Sequence, residues 1–306
     1  MTDFVAPAGL LVLQRGWLSS NSVLLRGEEG TALIDSGYGS HAPQTLALVR
    51  SALSQRPLNL LLNTHLHSDH CGGNAALQTA YPDVCTLIPP GQAQHVTHWN
   101  AQALSYTPTG QLCPPFGFDA LLQPGTEVRL AGVPWQVHAA PGHDPHSVLL
   151  FEPASRCLVS ADALWQNGFG VVFPELDGQH GFDDVAATLD LIEALQPGSV
   201  IPGHGEPFTD VAAALARARS RLDSFVADAG KHRAYAAKVL LKFKLLEVQQ
   251  IDAPELLTWV QATPYLVSLL TRHFPGLTLN QALQSLVQDL LRSGAALQHG
   301  TVLHNA

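Results

Sequence analysis

Residues 10–35 alternate short apolar runs with glycine and charged turns: Leu10-Leu11-Val12-Leu13, Ser22-Val23-Leu24-Leu25 and Thr31-Ala32-Leu33-Ile34. Runs of this length with such punctuation predict antiparallel hairpins. The period then lengthens. Leu46, Val49 and Leu53 fall at helical spacing within residues 41–54, and the apolar residues 58–62 after Pro57 read as a buried strand. Residues 74–80 predict a helix, 84–88 a strand, and 127–139 and 147–160 two further hairpins. A helix over 181–195, opened by Asp183-Asp184 and closed by Pro197-Gly198, leads into the strand Ser199-Val200-Ile201. Hairpins interleaved with helices imply two sheets with helices packed outside them. Beyond Thr209 the pattern is helical almost throughout, over 211–227, 232–248, 254–261 and 279–291. Ser293-Gly294 and residues 295–303 then predict a small terminal hairpin.

Length and charge divide the chain. At 306 residues it is long enough for one large domain and a satellite. Residues 1–220 hold 8 basic against 19 acidic side chains, and residues 221–306 hold 8 against 6, with all four lysines in the second part. The expected domains are therefore 1–220 and 221–306. With 46% hydrophobic and 13% charged residues the chain is not disordered, and its 25 glycines and 21 prolines follow no collagen-like period. A net charge of -9 argues against a protein that coats nucleic acid. Cys71, Cys85, Cys113 and Cys157 form no CxxC pair, so reduced thiols are expected. The chain shows no signal-peptide pattern and no apolar stretch approaching about 18 residues, which predicts a cytoplasmic protein without a membrane partner. Residues 84–118 contain no Asp, Glu, Lys or Arg but five prolines, three glycines, Trp99, Tyr106, Phe116 and Phe118. A lid or binding loop is expected there.

The chemistry concentrates in Thr64-His65-Leu66-His67-Ser68-Asp69-His70-Cys71-Gly72-Gly73, directly after the strand ending at Asn63. Imidazoles and a carboxylate this close together on a strand-to-helix loop suit zinc or another first-row divalent metal. Pro141-Gly142-His143 precedes a strand, Ser160-Ala161-Asp162 ends one, and Pro202-Gly203-His204-Gly205 follows another. Together with Leu33-Ile34-Asp35-Ser36-Gly37 these five motifs resemble, in order, those of the metallo-β-lactamase fold superfamily over residues 10–210.

The resemblance implies an α/β fold of four αββα layers carrying a small, mostly helical C-terminal domain. It implies one metal held by His65, His67 and His143 and a second by Asp69, His70 and His204, with Asp162 bridging the two. Asp35 would fix the tautomer of a ligand histidine from behind. Two divalent ions, zinc or alternatively iron or manganese, would share a hydroxide formed near neutral pH, with Asp69 as the catalytic carboxylate that orients it. The bridging Asp162 is shared by the thioesterase, lactonase, phosphodiesterase and nuclease branches, so β-lactam cleavage is expected only as a weak side activity.

Around this centre the sequence offers His146, which replaces a usual glycine in Pro141-Gly142-His143-Asp144-Pro145-His146-Ser147, together with His180, Trp165, Phe169, Phe173 and Tyr106 as pocket candidates. Aromatic residues and few cations favour a small, neutral carbonyl substrate: an ester, thioester or lactone. The C-terminal helices resemble, more loosely, the winged-helix tail of the superfamily's endoribonucleases, which implies a metal-dependent phosphodiesterase or ribonuclease as the alternative. A non-hydrolytic metal-binding protein and a mononuclear iron dioxygenase are the remaining readings. The apolar helical tail also offers a homodimer contact.

Overall fold

The computed structural model describes residues 4–306 in two compact units. The first contains the chain up to Leu104 and Leu112–Asp223, and the second contains Ser105–Gln111 and Ser224–Ala306. The tip of the uncharged segment thus belongs with the C-terminal helices.

In the first unit, strands β1 (Leu10–Leu13), β2 (Ser22–Gly27), β3 (Gly30–Ile34), β4 (Leu60–Leu62), β5 (Cys85–Ile88) and β6 (Ala120–Leu121) form one sheet in sequence order. Pairing is antiparallel from β1 to β3 and parallel from β3 to β6. Helix α1 (Ala42–Leu53) joins β3 to β4, and α2 (Ser68–Cys71) and α3 (Asn74–Ala80) join β4 to β5. Helices α4 (Ala93–Thr97) and α5 (Tyr106–Thr109) interrupt the uncharged segment. The second sheet has the order β11-β10-β9-β8-β7, built from β7 (Glu127–Leu130), β8 (Val133–Ala139), β9 (Val148–Glu152), β10 (Cys157–Ala161) and β11 (Ser199–Pro202). Between β10 and β11 lie α6 (Phe173–Leu176) and α7 (Gly181–Leu195), and this crossover makes the two strands parallel.

Strand periodicity sorts the side chains into layers. Val23, Leu25, Ala32, Ile34 and Leu62 from the first sheet meet Trp135, Val137, Leu150, Val159 and Ile201 from the second in one buried core. Their alternate neighbours Leu24, Leu33 and Leu61 face the other way, against Val49 and Leu53 of α1 and Leu77 of α3. Successive strand residues point to opposite faces, so both faces of these apolar runs are used. Each buried Leu or Ile contributes about 1.5–3 kcal/mol, which fixes the strand ends from which the functional loops emerge.

The unit boundary falls within α8 (Val211–Ala227). The second unit continues with α9 (Ala229–Val248), β12 (Gln250–Asp252), α10 (Ala253–Gln261), α11 (Pro264–His273), α12 (Leu279–Arg292), β13 (Ala296–His299) and β14 (Val302–Asn305). Its three-stranded sheet has the order β12-β14-β13, with β12 between α9 and α10 and β13 and β14 forming a terminal hairpin. Helix α11 is absent from the sequence expectation because Pro264 reads as a break. It follows Thr263 at the N-cap and occupies the first helical turn, where the missing N–H costs nothing. Two of the lysines are engaged within this unit. The Lys242 ammonium donates to the Ala295 carbonyl (2.5 Å), Asn305 Oδ1 (2.7 Å) and the Ala306 carbonyl (2.8 Å), and Lys244 pairs with Glu247 at 2.8 Å. Among the described residues no helix is long and apolar enough to cross a membrane.

Candidate metal centre

The loops leaving the ends of β4, β8, β10 and β11 bring the motif residues together. Ligand-capable atoms of His65, His67 and His143, of His65, His70 and Asp162, and of Asp69, His70 and His204 each lie within 4.8 Å of one another. His67 Nδ1 is 2.8 Å from His143 Nε2, and Asp69 Oδ2 is 3.1 Å from His204 Nε2. Asp162 reaches both sides: Oδ1 is 3.5 Å from His70 Nε2, and Oδ2 is 3.4 Å from His143 Nε2 and 3.8 Å from His204 Nε2.

The imidazoles are oriented from behind. Asp35 accepts from the Thr64 amide (2.9 Å), the Thr64 hydroxyl (2.8 Å) and His70 Nδ1–H (2.8 Å). Since the Thr64 hydroxyl donates to Asp35, its oxygen is left to accept from His65 Nδ1–H at 3.2 Å. His143 Nδ1–H donates to the Val171 carbonyl at 2.5 Å. These bonds hold the protons of His65, His70 and His143 on Nδ1 and turn each Nε2 inward. His67 has the reverse orientation, with Nδ1 inward and Nε2 3.6 Å from Asp144 Oδ2. The inward Nε2 atoms of His65 and His70 are buried without a hydrogen-bond partner among the described residues. Buried nitrogen lone pairs aimed at shared carboxylates fit a divalent cation, since an unpartnered buried polar atom is otherwise costly.

Electrostatics agree. Burial, followed by neighbouring imidazoles, holds His65 well below its ordinary pKa. Burial also brings His67 and His143 down to about 4. His70 is drawn the other way: burial opposes its charge, but Asp35, Asp162 and Asp69 raise it well above the usual range. Asp162 is held well below the carboxylate range, because His204, His70 and His143 outweigh its burial. A point flanked by the neutral imidazoles of His65, His67 and His143 and by ionised carboxylates favours a positive charge there.

Backbone geometry is specific at two points. Asp35 and Ala161, immediately before Asp162, have φ of 59° and 45°, a left-handed conformation uncommon outside glycine. At Gly203, a Cβ would lie 2.1 Å from Asp162 Oδ1 and 3.0 Å from His70 Cε1, so only glycine lets this loop pass behind the carboxylate. Asn21 clamps the same loop. Its amide N–H donates to Gly203 O (2.7 Å), and its side-chain NH2 donates to Pro202 O (3.0 Å) and Gly205 O (2.8 Å).

The pocket candidates separate. Trp165 joins the centre: its indole N–H donates to Asp162 Oδ1 at 3.2 Å, and its ring stands edge-on to His204. Phe173 lies edge-on to His67, with centroids 5.0 Å apart. Phe169 is 1% exposed and directly follows the chain reversal at the Trp165–Gly168 bridge. Tyr106 is buried in α5 and belongs to the second unit. His146 is exposed beside Gly91, with its backbone N–H donating to Asp144 Oδ1. His180 is exposed at the start of α7.

Sequence reading missed Trp17, Asn21 and Asp144. Trp17 is 55% exposed and lies parallel to the His204 ring, with centroids 5.4 Å apart and an interplanar angle of 7°. It meets Trp165 edge-on at 5.4 Å. Its only mark in the sequence is an aromatic beside a glycine in the β1–β2 connection, far from every ligand motif.

The sequence profile of the metallo-beta-lactamase superfamily matches residues 15–204. A hydroxyacylglutathione hydrolase of Anaeromyxobacter dehalogenans (strain 2CP-C) is 32% identical over 197 residues, which cover 63% of this chain and 64% of that protein. The chain therefore matches less than two thirds of this relative's length. Among solved structures, a beta-lactamase domain protein from Burkholderia ambifaria covers 99% of the chain, with 94% of its own length aligned, a TM-score of 0.61 and 20% identity. A protein solved in a di-iron-bound form covers 68% of the chain, with 98% of its own length aligned, a TM-score of 0.54 and 26% identity.

Proposed function

Because the chain belongs to the metallo-beta-lactamase superfamily, we propose that its metal centre hydrolyses a small carboxylic ester, thioester or lactone. The observation that carries this reading is Asp162, whose two oxygens face both histidine groups at 3.4–3.8 Å. A carboxylate shared in this way suits two adjacent cations rather than one closed structural ion. His65, His67 and His143 would hold one cation, and Asp69, His70 and His204 the other, with Asp162 between them. The donor set suits zinc, and the di-iron relative supports iron as an alternative. Bound there, the ions supply Lewis acidity toward a carbonyl oxygen and acidify a water to near neutral pH.

The chain's own groups do the rest. Asp69 is the most exposed of the carboxylates around the centre, at 15% against 3% for Asp35 and 6% for Asp162. That exposure supports Asp69 as the group that would orient the attacking water and carry its proton onward. Trp165 holds Asp162 by its indole N–H, and Asp35 and Val171 keep His70 and His143 in the tautomer that turns Nε2 inward. Trp17, Trp165 and Phe173 offer flat apolar surface to an acyl group or leaving group on either side of the ligands. The hydroxyacylglutathione hydrolase relative acts, by its name, on a thioester, which supports the same substrate class here.

The resemblance of the C-terminal helices and terminal hairpin to a winged-helix tail supports the phosphodiesterase reading as the rival. Against it, Lys242 and Lys244 are engaged within their own unit and are poorly placed to meet phosphates. The test is a panel containing an aryl ester, a lactone, a glutathione thioester, a cephalosporin and bis-p-nitrophenyl phosphate. The zinc-loaded protein is expected to turn over at least one ester, thioester or lactone far faster than the phosphodiester. Turnover of the phosphodiester alone would replace this reading with its rival.

A further inference from the structure

We propose that Cys71 and Cys113 form an oxidant-responsive thiol pair whose disulfide staples the uncharged segment to the turn carrying Asp69 and His70. This inference does not depend on the hydrolytic reading. The two Sγ atoms lie 3.8 Å apart, although the residues are separated by 42 positions in sequence. Cys71 closes α2, the single turn that presents Asp69 and His70, and its thiol donates to the His67 carbonyl at 3.2 Å, away from the ligand cluster. Cys113 is half-buried, so an oxidant can reach it.

The approach of the two sulfurs is held by the surrounding structure. Beside Cys113, the Leu112 N–H donates to the phenol oxygen of the fully buried Tyr38 at 2.8 Å. A Cβ on Gly39 would lie 3.0 Å from Leu112 O and 3.1 Å from Pro114 Cδ, so the backbone on both sides of Cys113 rests against the 38–39 turn. The α2 side cannot give. A Cβ on Gly72 would fall 2.4 Å from Gly39 N, and one on Gly73 would fall 2.4 Å from Ser36 O. Closing the sulfurs to a bond of about 2.05 Å therefore falls to the two side chains, with the backbone held on both sides. The other two cysteines are poor competitors. Burial pushes Cys157 up to about 11, and burial together with Asp119 raises Cys85.

With hydrogen peroxide as the oxidant the chemistry balances. Cys113 sulfur attacks one peroxide oxygen, the O–O bond breaks, and one water leaves with a sulfenic acid on Cys113. Cys71 sulfur then attacks that sulfur. The S–S bond forms, the S–O bond breaks, and the second water carries off the remaining thiol proton. Two thiols are oxidised by two electrons while one peroxide is reduced to two waters. The disulfide closes a long loop and ties down the turn bearing two ligands, so it should restrain local opening of that turn.

The experiment exposes the zinc-loaded full chain to stoichiometric hydrogen peroxide, with and without later dithiothreitol. Intact mass, peptide mapping, thermal midpoint and the rate of zinc removal by EDTA are then measured. The expected result is a loss of about 2 Da that maps to a Cys71–Cys113 cross-link and is reversed by dithiothreitol. The midpoint should rise by about 5 °C, and EDTA should remove zinc about threefold more slowly. Cys113→Ser and Cys113→Ala should keep the reduced protein's midpoint and show none of these responses. Separate oxygen additions on the two cysteines, a cross-link to Cys85 or Cys157, or unchanged midpoint and zinc release after cross-linking would overturn the proposal. The mass readout is independent of turnover, so failure here is distinguishable from failure of the substrate panel.

Discussion

At the scale of single residues, each imidazole has a defined inner and outer nitrogen. Asp35 accounts for this at His70, where one carboxylate holds the ring and, through the Thr64 hydroxyl, also reaches His65. Asp35→Asn should keep the fold and lower zinc affinity about 10- to 100-fold, measured by competition with a chromogenic chelator. An unchanged affinity would remove Asp35 from the account. His67→Ala removes a ligand whose Nδ1 meets His143 at 2.8 Å, and it should abolish hydrolysis while leaving the circular dichroism spectrum largely intact. Full activity in that variant would refute the assigned centre.

The pKa shifts set a pH window for the metal-free protein. His67 and His143 are held to about 4 and His65 well below its ordinary value, chiefly by burial. The unfolded chain takes up these protons near 6.5, whereas in the folded chain His67 and His143 do so only near 4 and His65 only well below its ordinary value, so stability falls as pH drops through that interval. His70, raised instead, is protonated in both states below 6.5 and adds no slope there. Its contribution is lost on the alkaline side, as pH rises through its folded value. Asp69 and Asp162 are lowered, so their contributions are lost only below the ordinary carboxylate range. Thermal midpoints of the metal-free protein should decline from pH 6.5 to 4, and a flat profile would contradict the burial assigned to these rings.

At the scale of elements, loops at strand ends do the positioning, and Gly203 is the most exacting point. Gly203→Ala places a methyl against Asp162 Oδ1 and His70, so it should lower the bound metal below that of the parent protein, read by elemental analysis. Full metal loading would show that the loop can shift without cost.

Legibility in the sequence followed the range of the forces involved. The candidate ligand motif His65 to His70 was readable because its spacing is local, and the strands were readable because Val23–Leu25 and Leu60–Leu62 are short continuous apolar runs bounded by turn residues. Trp17 was not, since its stacking on His204 joins residues far apart in sequence. Tyr106 lies in α5, a turn bounded within the uncharged segment by Ser105 and Gly110, both with positive φ. Charge composition put the unit boundary at 220, whereas packing puts it after Asp223, inside a continuous helix.

At the scale of the whole molecule, the two sheets share one core, and the loops leaving their ends converge on a single cluster. In the second unit, two of the lysines are already paired internally. The central claim is a two-cation hydrolytic site, and zinc titration of the metal-free protein tests it most directly. Hydrolysis of the best substrate from the panel should rise with added zinc and level off at two equivalents per chain. A plateau at one equivalent, or hydrolysis indifferent to metal, would contradict the account.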